Sequence, residues 1–289
     1  MTHGQETVKQ TSLKGRLHST PPMRLNIATI WHSGSIRKRK QNMNSLFAMQ
    51  GVQTHNGEEQ SFGVFVLADG MGRHEHGQEA SRLAVRVMSN TLVPPLLGDA
   101  EIGEETLMAL LSESVQRTNE VIYQWKQQGQ AALETMMTAV VVVGANAYIA
   151  NVGESCTYLY RQSRGLYQVT RDHSSGAYLI EAETTTTPDD TRTTHPESDH
   201  TYRHIGSSSL VEVDIFPVPL HMDDILLLCS DNVWKLMYPT DVQHILNASV
   251  LGPSQIASKL LETALARGGT DAMSSIVVSL SDKEVERYS

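Results

Sequence analysis

The sequence predicts an α+β protein in which two antiparallel sheets pack face to face and helices cover the outside. Three observations predict it. Strand signals and helix signals come in separate groups instead of alternating. Four strand candidates follow one another across gaps rich in Gly, Asn, Ser and Arg, as hairpin-linked antiparallel strands do. Two helix signals then stand side by side with no strand between them, which excludes a simple alternating β-α array.

In chain order, residues 1–23 are polar and close on Pro21 and Pro22, so they read as a flexible N-terminal extension. The domain spans residues 24–282, leaving 283–289 as a short tail. Residues 62–68 form a compact apolar run with β-branched and aromatic side chains, a buried strand that ends at Asp69 and Gly70. Residues 80–97 read as a helix. Leu107, Leu111, Val115, Thr118, Ile122 and Trp125 recur at steps of three and four and give a second helix one apolar stripe. The four strands are 138–143, 148–152, 157–161 and 166–169. A polar stretch, 181–209, shows no period, and a loop of that length is usually functional. Strands at 212–216 and 225–230, a short helix near 240–248, a helix after Pro253 carrying Ile256, Leu260 and Ala264 on one face, and a strand at 275–280 complete the domain.

Composition bounds the function. A 289-residue chain that is 40% hydrophobic and 19% charged can bury a substantial core. A net charge of −9 argues against nucleic acid or anionic membrane as a main partner, because both reward a basic face. Cys156 and Cys229 sit in apolar surroundings and read as buried free thiols of a reducing compartment. No apolar run reaches membrane-spanning length, and the first residues lack a signal-peptide core. The expected location is the cytoplasm.

The chemistry-bearing residues are acidic. Asp69 and Asp231 each end an apolar strand, Asp271 sits in a Gly-Gly-Thr-Asp turn just before another, and Glu154 closes a fourth. Any one of these could be an ordinary turn or cap residue. Four converging at sheet ends would repel one another and call for a cation. Oxygen ligands without His or Cys select hard ions such as Mg²⁺ or Mn²⁺. A zinc site at His74 and His76 lacks supporting ligands at fitting spacing.

With these residues in place, the chain resembles the metal-dependent PP2C (PPM) protein phosphatases of bacterial type over nearly its whole length. The stretch from Val66 to His74, with the helix that begins around Gly77 and Ser81, resembles the family's aspartate-glycine motif. Asn151 to Ser155 is similar to its Gly-Asp-Ser strand, and Thr170 to Ser174 to the segment before its flap. Asp224 to Asp231 and Gly268 to Asp271 resemble its last two metal motifs. The resemblance implies a central β-sandwich flanked by pairs of helices and a flap over about 175–209. It implies two Mn²⁺ or Mg²⁺ ions, with Asp69 bridging both, the Gly70 carbonyl on one, and Asp231 and Asp271 completing the other. Glu154 stands where the family has an aspartate near a third, weaker site. A metal-activated water would then attack phosphoserine or phosphothreonine in a protein substrate, opposing a Ser/Thr kinase, in a monomer. Arg39 or Arg37 would contact the phosphate, although a solvated basic loop explains both equally well. Where some members carry a histidine, this chain has Met71, so water would protonate the leaving group.

Four departures accompany the resemblance. Asn44 stands where the family has an acid, Asn232 where glycine is usual, Ala272 where asparagine is usual, and Arg73 replaces a glycine. Changes around metal ligands commonly cost about 10–100-fold in affinity or activity. A catalytically weak or silent relative that binds phosphoproteins or partners is therefore the alternative expectation.

Overall fold

The computed structural model describes residues 23–34, 42–55, 58–71, 75–98, 100–128, 133–174, 201–247 and 251–282. Ten strands form two five-stranded antiparallel sheets. In the first, β1 (Arg24–His32), β10 (Met273–Ser281), β9 (Ile225–Cys229), β6 (Cys156–Arg161) and β7 (Gly165–Gln168) lie in that order. In the second the order is β2 (Asn44–His55), β3 (Glu58–Gly70), β4 (Thr135–Val143), β5 (Asn146–Val152) and β8 (Asp214–Pro219). Helices α1 (Glu75–Leu96) and α2 (Glu104–Gln127) cover the second sheet. A four-residue turn α3 (Asp231–Trp234), with α4 (Pro239–Asn247) and α5 (Pro253–Ala266), covers the first. The predicted sandwich with outer helices is thus the observed one.

Strand β3 shows how the sequence sets the layers. Val64, Phe65, Val66, Leu67 and Ala68 are all fully buried, because both faces of this strand are covered. Phe65 and Leu67 enter the core between the sheets with Val140, Ile149, Leu159, Leu226, Leu228 and Ile276. Val64, Val66 and Ala68 face the helix layer with Ala80, Ala84, Leu111 and Val115. The two-residue period of a strand therefore places Asp69, in phase with Phe65 and Leu67, at the end of the gap between the sheets. Burial of each large side chain stabilises the sandwich by roughly 1.5–3 kcal/mol.

One connection departs from the sequence reading. The four strands 138–169 are not all hairpin-linked: β4–β5 and β6–β7 pair, but β5 and β6 lie in different sheets. Gly153, at φ +104, makes the turn that carries the chain across. A Cβ there would stand 2.5 Å from Met136 Cγ, so only glycine fits. Beneath the turn the two sheets are stitched by a 2.8 Å hydrogen bond between the hydroxyls of Thr138 and Thr157.

The tail of the predicted loop is also ordered. Ile205 bridges to Thr135, and Asn119 of α2 accepts from Gly206 N and donates to Ser208 O. Residues 201–209 are thereby tied to β4 and α2. No described helix is long and apolar enough to cross a membrane.

Candidate metal centre

Asp69 sits at the far end of β3, where three hydrogen bonds hold the backbone from Asp69 to Met71. Thr135 Oγ1 donates to Asp69 O at 2.8 Å, Gly70 N to Met43 O at 3.1 Å, and Met71 N to Glu134 O at 2.9 Å. Gly70 admits no side chain, since a Cβ would lie 2.0 Å from Gly77 O where α1 begins. Strand pairing sets Asn44 of β2 directly opposite Asp69.

Asp231 leaves β9 from the other sheet. Ser230 and Ser274 lock the ends of β9 and β10 together: Ser230 N donates to Ser274 O at 3.0 Å, and Ser274 N to Ser230 Oγ at 3.1 Å. Trp234 stacks on Tyr158 with ring centroids 3.9 Å apart, which seats the α3 turn on the sheet. Asp231 and Asp69 meet across the gap. Burial first, then the charge and hydrogen-bonding reach of Asp231, push the Asp69 carboxyl well above the usual carboxylate range.

Glu154 and Lys235 join this pair. Lys235 Nζ lies 3.0 Å from Glu154 Oε2 and 3.0 Å from Asp231 Oδ2. Burial works against its charge, but Asp231 and Glu154 more than offset that and hold its pKa above the usual lysine value. Thr201 Oγ1 donates to the other Glu154 oxygen, Oε1. Thr201 also bridges to Ser174, and Tyr202 N donates to His173 O at 3.0 Å, so residues 173–174 and 201–202 lie side by side.

His173 supports the turn that carries Glu154. Gly153 N donates to its Nδ1 at 3.0 Å, so the proton is on Nε2, which faces Asp214 Oδ2 at 3.2 Å. Arg203 completes the cluster with bonds to Asp214 at 2.9 Å and Glu212 at 2.6 Å. Burial holds the imidazole below the usual histidine value, with Asp214 opposing.

Asp271 stands one step back. It is half-buried in the loop that leads into β10. Its loop is tethered to the α3 turn, because Asn232 Nδ2 donates to Ala272 O at 3.2 Å. The two departures at 232 and 272 therefore meet: the side-chain amide sits on the Asp231 side of the gap and reaches the carbonyl on the Asp271 side. Gly34, at φ +85, packs against the same loop, with space for a Cβ closed by Thr270 O at 2.5 Å. Arg37, Arg39, Arg73 and His74 lie outside the described residues. His76 is exposed on α1.

Among the described residues, no three His, Cys, Asp or Glu side chains are grouped tightly enough to hold one ion as they stand. The donor set nevertheless fits a hard cation. Asp69 Oδ2, Asp231 Oδ1 and both amide atoms of Asn44 are buried without a hydrogen-bond partner. Each such group costs about 1–3 kcal/mol, and a hydrated divalent ion between them would remove that cost. Lys235, Thr201, His173 and Arg203 were not assigned roles from sequence. Of these only Lys235 left a usable signal, its i,i+4 spacing from Asp231.

The profile of the family described as protein phosphatase 2C matches residues 52–245. The serine/threonine phosphatase stp of Listeria monocytogenes is 31% identical over 217 residues, covering 74% of this chain and 83% of that protein. The crystal structure of the Mycobacterium tuberculosis serine/threonine phosphatase PstP/Ppp superposes with a TM-score of 0.71 at 25% identity, over 89% of this chain and 99% of that one. The catalytic domain of PstP in complex with two manganese ions has the same fold, with a TM-score of 0.70 at 24% identity, over 90% and 99% of the two chains. The strand order, the acids at the sheet ends and these matches agree: the chain belongs to the protein phosphatase 2C family and is of its bacterial type.

Proposed function

We propose that this chain hydrolyses phosphoserine and phosphothreonine esters of proteins with two divalent ions, Mn²⁺ or Mg²⁺, held by Asp69, the Gly70 carbonyl, Asp231 and Asp271. The observation that carries the reading is the meeting of Asp69 and Asp231 from opposite sheets, buried, mutually repelling and with unpartnered oxygens. When bound, the ions would activate a water for in-line attack and neutralise phosphate oxygens.

The chain's own residues do the rest. Thr135 pins the Asp69 carbonyl and Met43 O accepts from Gly70 N, so the Asp69 carboxylate is pre-aimed into the gap. The Asn44 amide, buried opposite it, offers a donor and an acceptor to water held there. Arg39 or Arg37 is the proposed phosphate contact. Its support is placement: the described chain stops at Gly34 against the Asp271 loop and resumes at Asn42, two residues before Asn44. Met71 cannot transfer a proton, so solvent protonates the leaving serine or threonine oxygen. The stretch of about 175–209 is the proposed flap that meets the substrate, and Thr201 within it is bonded to Glu154. The proposed setting is the cytoplasm, as a monomer opposing a Ser/Thr kinase.

One observation favours a second reading, a weak or silent phosphoprotein-binding relative. Asn44 brings no negative charge to the waters of the site, and its amide is left unpaired. An assay separates the two. Hydrolysis of p-nitrophenyl phosphate and of a phosphothreonine peptide is measured with Mn²⁺, with chelator, and in Asp231→Asn. Metal-dependent turnover well above the variant is expected, and turnover equal to the variant would remove the enzyme reading.

A further inference from the structure

We infer that Lys235 is a resident cation that closes the position between Glu154 and Asp231 to a metal ion. The setting rests on the two-metal reading above, but the contacts are the chain's own. The ammonium lies 3.0 Å from Glu154 Oε2 and 3.0 Å from Asp231 Oδ2, so it takes one oxygen from each carboxylate. Both acids are largely shielded from water, with side chains 6% and 14% exposed. A pair of shielded carboxylates aimed at one point binds a cation, and here the protein supplies it.

Three features keep the ammonium in place. Lys235 stands one helical turn after Asp231, with Lys235 N donating to Asp231 O at 2.8 Å. Its neighbour Trp234 is stacked on Tyr158, so the stem of the lysine starts from a fixed backbone. Thr201 occupies Glu154 Oε1, which turns Oε2 toward the lysine. The result divides the work of Asp231: Oδ2 goes to Lys235, while Oδ1 is buried without a partner and is free for a metal on the Asp69 side.

A divalent ion cannot share this position. Mg²⁺ needs carboxylate oxygens at about 2.0–2.1 Å, and it would meet the ammonium at the same two oxygens. Like charges at that separation repel, even though the Lys235 side chain is 47% exposed. Glu154, expected from the resemblance near a third ion, thus serves the lysine, and metals gather only between Asp69, Asp231 and Asp271. The charge at this point is also permanent, since no chelator removes it.

Direct Mn²⁺ binding tests this without reference to turnover. Bound equivalents are counted by equilibrium dialysis and titration calorimetry for the wild type, Glu154→Gln, Lys235→Met and the double variant. Lys235→Met is expected to bind one equivalent more than the wild type, and adding Glu154→Gln to it is expected to remove that equivalent. Glu154→Gln alone is expected to keep the wild-type number. The inference is overturned if Lys235→Met binds no extra ion, if the extra ion survives Glu154→Gln, or if Glu154→Gln alone loses an ion. The last arm holds even if Lys235→Met does not fold. A wild type that binds no Mn²⁺ would sink the two-metal reading, and the difference between the chains would still report on Lys235.

Discussion

Replacing Asp69 by Asn separates a metal ligand from a structural acid. In the metal-free chain Asp69 is buried beside Asp231, and its carboxyl is held well above the usual range by burial and then by that neighbour. A carboxyl raised in the folded state binds protons there that it loses in the unfolded chain. Stability therefore falls as pH rises from about 3.9 through the folded pKa, and above it the repulsion is fully present. Asn at 69 has no such titration. With chelator at neutral pH, Asp69→Asn is expected to melt at or above the wild-type temperature, and the wild type should close on the variant as pH falls. Metal reverses the order. An ion at a hundred times its Kd stabilises the wild type by about 2.7 kcal/mol per site. At about 2 °C per kcal/mol for a chain of this size, each site raises Tm by about 5 °C. The variant is expected to show almost none of that shift in Mn²⁺. Scanning calorimetry with chelator and with Mn²⁺ reads both effects. A variant that melts far below the wild type in chelator, or that keeps the full Mn²⁺ shift, would refute the reasoning.

Other outcomes follow from the same geometry. Asn44→Asp places a charge opposite Asp69 and is expected to raise Mn²⁺ affinity about 10–100-fold in a binding titration, with no change counting against the role given to that position. Asn232→Ala deletes the bond to Ala272 O and is expected to cost about 0.5–1.5 kcal/mol of stability and to weaken Mn²⁺ binding through the Asp271 loop. Unchanged metal affinity would show that the tether does not position Asp271. The His173 imidazole, held below the usual value chiefly by burial, contributes stability that is present above about pH 6.5 and is lost as pH falls through its folded pKa. The melting advantage of the wild type over His173→Gln should shrink on acidification in chelator, and a constant gap would place the titration elsewhere.

Much of this was legible in the sequence because the central strands announce themselves. β3, β5 and β9 are buried along most of their length, so their apolar runs are nearly continuous, and the acids that end or follow them, Asp69, Glu154 and Asp231, stand out. The edge strands were harder. β1 and β2 are mostly half-buried or exposed and break their apolar residues with Gln, Gly, Thr and His, so neither shows the long buried run of a central strand. The crossing between β5 and β6 was hidden for another reason. Gly153 looks like any hairpin glycine, and only the seat of Met136 beneath it and the anchoring by His173 send the chain to the other sheet. At the site, Asp69 and Asp231, which the structure brings together, each stand at the end of an apolar run, while the substitutions at 232 and 272 read as two independent losses. Their hydrogen bond exists only once β9 and β10 are paired. The link from Lys235 to Glu154 likewise spans 81 residues of chain and needs both sheets in place.

Asp69, with Asp231 and Asp271 alongside, would hold two divalent ions. A crystal grown with Mn²⁺ and measured for anomalous scattering tests it directly. Two peaks about 3.5–4 Å apart with Asp69 between them are the expected result. A single peak, or ions that do not touch Asp69, would contradict the account.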